Sequence, residues 1–85
     1  MLVRVHLFAI ARERAGRSVV EVDLPDDATV MDLKWALNDL IPSLAPITSS
    51  ARFSVDTEYA DDSTPIPPGA DLALIPPVSG GSMES

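Results

Sequence analysis

The sequence contains no cysteine, which excludes disulfide bonds, thiolate metal sites and a cysteine nucleophile in this chain. Basic residues are also few, since six Lys and Arg stand against thirteen Asp and Glu and give a formal net charge of −7. Nucleic acid is therefore a poor candidate partner, because its phosphates require clustered Lys and Arg. The acidic balance favours a basic face on a protein partner, although many acidic proteins have no such partner.

Long hydrophobic runs are missing as well, and none approaches the roughly 20 residues that cross a bilayer. The first ten residues carry Arg4 and His6 and have the pattern of a short strand, not of a signal peptide. We therefore expect no membrane association and a cytoplasmic location. The 85 residues, 46% of them hydrophobic, are enough for one compact domain.

Three segments alternate apolar and polar residues and are predicted to be strands: Leu2–Leu7, Ser18–Leu24 and Arg52–Asp56, the last continuing as a hairpin towards Ala60. Ala70–Ile75 is nearly all apolar, which is typical of a strand covered on both faces in the middle of a sheet. We expect the first and last strands to be parallel neighbours.

A long helix is predicted after Thr29, which can cap it with Asp32 in its first turn. The helix should end near residues 39–41 because Pro42 follows, and a loop should continue to residue 50. A short additional helix is predicted over residues 8–15, with Gly16 as its C-terminal stop.

These elements indicate an α+β fold in which a mixed sheet of four to five strands packs against one long helix. The predicted core consists of the apolar residues on the inward-facing positions. They are Val3, Val5, Val20, Val22, Leu33, Leu37, Leu40, Phe53, Val55, Leu72 and Leu74.

No internal group of residues indicates catalysis or a metal site. His6 has no Cys, His or carboxylate residue near it in the sequence that could share a metal ion. The two Asp-Asp pairs, at residues 26–27 and 61–62, are typical of turns, where Asp is favoured. Trp35 is expected to pack or to lie partly covered on the long helix. The remaining feature is the tail. Pro76-Pro77 should keep the chain extended, and the two glycines at Gly80-Gly81 have no side chains, so the backbone there can enter a narrow channel. We predict a domain over residues 1–77 and a flexible tail over residues 78–85.

The segment Leu72 to Gly81, with its Pro-Pro-Val-Ser-Gly-Gly signature, resembles the small subunits of molybdopterin synthase, the MoaD-type sulfur carriers of the ubiquitin-like β-grasp class. The likeness extends from Met1 to Gly81 and includes Phe8-Ala9 and the Thr29-Val30 start of the long helix. Asp56 departs from the family, which often has Asn after this Val.

The resemblance implies a ubiquitin-like β-grasp roll and a non-catalytic sulfur-donor subunit of molybdopterin synthase, with no bound cofactor. An E1-like partner would use ATP to adenylate Gly81, and sulfur would then replace AMP to give a thiocarboxylate. The tail, through Val78, Ser79 and Gly80, would insert into the large synthase subunit, where the sulfur passes to the pterin precursor. The expected partner contacts are Phe8, Tyr59, Ile75, Pro76 and Pro77.

Four residues follow the glycine pair, and the family usually ends at that pair, so we expect a processing protease to remove residues 82–85. Three alternatives stay open. The chain could serve as a sulfur carrier for thiamine biosynthesis, as a ubiquitin-like modifier joined to lysines through Gly81, or as a plain structural domain.

Overall fold

The computed structural model describes residues 1–76 of the chain. The strands are β1 (Leu2–Leu7), β2 (Val19–Asp23), β3 (Arg52–Val55), β4 (Glu58–Ala60) and β5 (Asp71–Ile75). The helices are α1 (Ala9–Ala15), α2 (Val30–Leu40), a 3₁₀ helix (Pro42–Leu44) and α3 (Ala45–Thr48). No helix in residues 1–76 has both the length and the apolar character that crossing a membrane requires.

The five strands form one mixed sheet in the order β2-β1-β5-β3-β4. Strands β1 and β5 run parallel, with Val5 opposite Leu72, and the other neighbouring pairs are antiparallel. The predicted α+β class and the parallel pairing of the first and last strands are therefore confirmed.

Local capping explains where the two longer helices begin and end. Gly16 adopts φ 74°, the left-handed conformation that favours glycine, and donates its N–H to the Arg12 carbonyl at 2.9 Å. At the start of α2, the Asp32 carboxylate accepts the Thr29 N–H at 2.9 Å. The helix ends at Leu40, as predicted, because Pro42 cannot continue it.

The turn after β4 completes the N-terminus of α2. Its first two N–H groups, from Val30 and Met31, donate to the carbonyls of Thr64 and Asp62, each at 3.0 Å. These donors have no partner within the helix itself. A segment distant in sequence therefore satisfies them, and the turn holds α2 across the sheet.

The core lies between α2 and one face of the sheet. Leu33 and Leu37 of α2 are fully buried, as are the inward-facing residues of the central strands. Two members of the predicted core differ: Val55 is only partly buried, and Leu40 is 54% exposed. Leu40 continues the apolar stripe of α2, but it lies in the last turn beside the edge strand β2, where no element in residues 1–76 covers it.

Two further expectations are wrong. The predicted loop over residues 42–50 contains the 3₁₀ helix and α3, because Pro42 and Pro46 lie in first turns, where a missing N–H breaks no helical bond. Strand β5 is covered on one face only, since Ala73 and Ile75 are half-buried on the other face.

Candidate functional site

The last described strand before the tail is at the centre of the sheet. Strand β5 lies between β1 and β3, and its last residue, Ile75, is opposite Arg52. Pro76 follows and is buried against the domain. The start of the tail is therefore fixed by pairing on both sides of β5. The other predicted tail residues, Pro77, Val78, Ser79, Gly80 and Gly81, and the segment over residues 78–85, lie outside the described residues.

The sheet face opposite α2 is here called the open face, and its central residues are Phe8, Ser54, Tyr59, Ala73 and Ile75. Pairing registers place Ala73 opposite Ser54, and Ser54 opposite Tyr59. The two small side chains in the middle leave a shallow depression of about 100 Å³. A projecting side chain of a partner protein can enter such a depression.

Two exposed aromatic residues flank this depression. Phe8 is 49% exposed and lines it, whereas Tyr59 is 64% exposed and lies across β3 from Ala73. The Arg52 guanidinium lies 5.0 Å from the centre of the Tyr59 ring, in cation–π geometry. Ile75, the last residue of β5, is half-buried. The fold thus brings Phe8, Tyr59 and Ile75 to one face, while Pro76 is buried; their role in partner contact remains a prediction.

The turn between β3 and β4 shows what Asp56 does. Asp56 and Thr57 have φ 51° and 73°, the left-handed values that two-residue hairpin turns require. The Asp56 carboxylate accepts the Asp71 N–H at 2.9 Å, and the Asp56 N–H donates to the Asp71 carbonyl at 2.8 Å. Asp56 therefore joins this turn to the start of β5. This role of Asp56 was not predicted from the sequence, although Asp is one of the residues that tolerate positive φ.

The ionic groups on the open face are exposed to solvent. His6 lies 3.6 Å from Asp71, with 46% and 77% of the two side chains exposed, and exposed pairs contribute little to stability. In residues 1–76, no three His, Asp or Glu side chains are grouped so that they could hold a metal ion. The open face has the composition of a docking surface, with apolar groups surrounded by a polar rim.

Residues 5–81 match the family model described as the ThiS family. The chain therefore belongs to the ThiS family. Its relatives include the molybdopterin synthase sulfur carrier subunit of Arabidopsis thaliana, 34% identical over 79 residues, or 93% of this chain and 82% of that protein. The subunit of the same name from Homo sapiens is 30% identical, and the match covers 93% of this chain and 93% of that protein.

Among solved structures, small archaeal modifier protein 1 of H. volcanii is 32% identical, with a TM-score of 0.82 over 91% of this chain and 98% of that chain. This likeness and the observed sheet order confirm the ubiquitin-like β-grasp fold. The ThiS-family match ends at Gly81, so residues 82–85 fall beyond it. The predicted resemblance to molybdopterin synthase small subunits agrees with the names of the relatives.

Proposed function

We propose that this ThiS-family protein is the sulfur carrier subunit of a molybdopterin synthase, with Gly81 as the residue that carries sulfur. The observation that carries the proposal is the extent of the match. It includes the glycine pair and ends there, and relatives at 30% and 34% identity over 93% of the chain are named as such subunits. Those names favour the molybdenum pathway over the thiamine pathway.

The proposed chemistry begins at the Gly81 carboxylate, which is a poor electrophile. An E1-like enzyme transfers AMP from ATP to this carboxylate and releases pyrophosphate, so that AMP becomes the leaving group. A persulfide sulfur of another protein attacks the acyl carbon and expels AMP, and a thiol then reduces the resulting acyl disulfide to the thiocarboxylate. This chain has no cysteine, so the terminal carbon must hold the sulfur.

The proposed partner for the second half of the cycle is the large subunit of molybdopterin synthase. Ile75 belongs to the open face and is also the last residue of β5, directly before the tail. A protein that binds Phe8, Tyr59 and Ile75 would therefore also receive the tail. Central placement of β5 supports this arrangement, because a strand paired on both sides holds its end at a fixed position. The groups that activate the pterin precursor would belong to the large subunit.

Residues 82–85 require a preliminary step in this proposal. A channel that accepts two glycines excludes the Met83 and Glu84 side chains, so a protease removes the four residues before activation. The intact mass of the protein from its own cells tests this step. An active carrier that still ends at Ser85 would contradict it.

The central experiment uses the chain ended at Gly81, an E1-like enzyme, ATP and a persulfide donor. We expect the C-terminal peptide to gain the mass that corresponds to replacement of one oxygen by sulfur. The Gly81→Trp variant should fold normally and should not support sulfur transfer. Absence of the mass change in the unaltered chain, with a working enzyme mixture, would reject the proposal.

A second candidate function is that of a protein modifier joined to lysines through Gly81. The observation that favours it is the likeness to small archaeal modifier protein 1, at 32% identity. Mass spectrometry of cell extracts separates the two functions. Peptides with Gly81 joined to a lysine side chain support modification, whereas a terminal thiocarboxylate alone supports sulfur transfer.

A further inference from the structure

Strand β2 is an edge of the sheet, and its outer side carries backbone groups that can pair with another strand. Leu24, just after β2, donates its N–H to the Met1 carbonyl at 2.8 Å, and hydrogen-bonded positions alternate along an antiparallel pair. Val19, Glu21 and Asp23 therefore direct their N–H and C=O groups away from β1. Within residues 1–76, no backbone hydrogen bond from another segment reaches these groups.

A groove runs between this free edge and α2. It consists of two adjoining depressions of about 430 and 360 Å³, which share Asp23, Ala36 and Asp39 in their walls. Trp35 and Leu40 line it and are 68% and 54% exposed. We refer to it as the β2–α2 groove. It lies on the α2 side of the sheet, opposite the open face, so the proposed sulfur carrier function does not use it.

The charge of the groove selects the kind of occupant. Its lining residues include Glu21, Asp23, Asp32 and Asp39 and no Lys, Arg or His. The Glu21 and Asp23 carboxylates form exposed ion pairs with Arg4 and with the N-terminal amine, at 3.7 and 3.5 Å. Asp32 is engaged at the start of α2, where it accepts the Thr29 N–H. Asp39 has no ion-pair partner in the described part of the chain. An acidic groove with exposed apolar walls fits a cationic segment that also has apolar side chains.

We propose that the β2–α2 groove binds an extended, basic segment of another protein, which adds a strand to the free edge of β2. The partner backbone pairs with Val19, Glu21 and Asp23, as in other strand-addition complexes. Successive side chains of a strand point to opposite faces. Apolar residues of the segment therefore pack on Leu40 and Trp35, while alternate Lys or Arg residues meet Glu21 and Asp23 on the other side of the strand.

The placement of this site has a consequence for assembly. Strand β1 separates the β2 edge from β5, β3 and β4, so a partner strand beside β2 leaves Tyr59 and the end of β5 accessible. A basic partner could therefore hold this protein while a second protein receives the tail.

The test is an NMR titration of the whole protein with a short peptide of alternating valine and arginine. We expect the amide signals of Val19, Glu21 and Asp23 and the Trp35 indole signal to shift, and the shifts to weaken as salt is added. A peptide with glutamate in place of arginine should leave the spectrum unchanged. Equal binding of both peptides, shifts confined to the open face, or no shifts would overturn the proposal.

A matched pair of charge reversals sharpens the test. Glu21→Lys reverses a carboxylate that the Lys or Arg residues of the segment would meet, and it should weaken peptide binding by about tenfold. Glu58→Lys makes the same charge change on β4, at the opposite edge of the sheet, and should have little effect. Equal effects of the two variants would overturn the proposal. Concentration-dependent shifts at β2 without peptide would also overturn it, because they would assign the edge to a second copy of the chain.

Discussion

The two faces of the sheet are built from the same strands but differ in what covers them. On the α2 face, Val5, Leu72 and Leu74 are almost completely buried. On the open face, their neighbours in sequence Ala73 and Ile75 are half-buried. Because side chains alternate along a strand, one set of residues forms the core and the next set forms a surface.

This difference separates stability from recognition. Burial of apolar area on the α2 face supplies most of the folding free energy, whereas Phe8 and Tyr59 on the open face add little to it. Exposed aromatic residues around a small depression are instead typical of a partner surface. The open face is therefore free to change its contacts without loss of the core.

The largest effect on stability is expected at Leu37, under the sheet. Leu37→Ala should lower the free energy of unfolding by about 2–5 kcal/mol, because it leaves a cavity in the packed face. Leu40→Ala, in the same helix but 54% exposed, should change it by about 0.5 kcal/mol or less. Urea unfolding followed by circular dichroism measures both. Similar losses of unfolding free energy in the two variants would contradict the distinction between covered and uncovered positions.

A smaller effect, on binding and not on stability, is expected at Tyr59. On the proposed function, Tyr59→Ala should weaken binding to the large subunit of molybdopterin synthase by about 1–2 kcal/mol, since exposed aromatic residues are frequent anchors of interfaces. Isothermal titration calorimetry measures the affinity, and thermal unfolding confirms that the domain is intact.

Trp35→Ala is the matched control for Tyr59→Ala. Trp35 is also aromatic and 68% exposed, but it lies on α2, on the opposite side of the sheet. Its removal should leave affinity for the large subunit unchanged. A loss at Trp35 with none at Tyr59 would place the large subunit on the wrong side of the molecule for our proposal.

The capping of α2 contributes less than its buried face. Asp32→Ala removes the acceptor of the Thr29 N–H and a negative charge from the helix N-terminus, so it should lower stability by about 1 kcal/mol. Asp27→Ala changes an exposed aspartate in the preceding turn and serves as the control. A larger loss of stability in Asp27→Ala than in Asp32→Ala, measured by chemical unfolding, would contradict the role assigned to the cap.

The smallest effect is expected at Asp61, in the turn that completes the start of α2. A side-chain hydrogen bond from Ser63, followed by one from Thr64, lowers the pKa of the Asp61 carboxyl. Because the folded pKa is depressed, this stabilisation is present above the unfolded pKa and is lost as the pH falls through the folded pKa. Asp61→Ala should remove it and reduce the loss of stability on acidification.

NMR titration of the Asp61 carboxyl carbon measures the pKa directly, and unfolding at a series of pH values compares the variant with the unaltered protein. The turn also supplies the carbonyls of Asp62 and Thr64 to α2, so Asp61→Ala should reduce amide protection at Val30 and Met31. An Asp61 pKa above the usual aspartate value would contradict this interpretation.

The regular elements followed from the sequence because their signals are local. Alternation predicted β1 and β2, and the stripe through Leu33 and Leu37 predicted α2. Where prediction was wrong, local signals were misleading. Pro42 correctly indicated the end of α2, but the loop expected after it is a 3₁₀ helix followed by α3. The apolar run of β5 indicated two covered faces, although in residues 1–76 only one is covered.

Part of the candidate site could be anticipated in the same way. Phe8, Tyr59 and Ile75 were candidates from the family resemblance, and the fold places all three on the open face. Arg52 over Tyr59 and Asp56 against Asp71 could not be anticipated. These contacts depend on which strands pair and in which register, and no short window of sequence contains that information.

The sequence by itself determined the strand and helix segments, the acidic charge and the glycine pair within a ThiS-family match, because periodicity and composition are carried by neighbouring residues. Only the tertiary structure decided that, within residues 1–76, one face of the sheet stays open, β5 lies at the centre of the sheet, and β2 keeps a free edge beside α2. Coverage and register arise from packing between distant segments, and that packing determines which apolar residues remain available to other proteins.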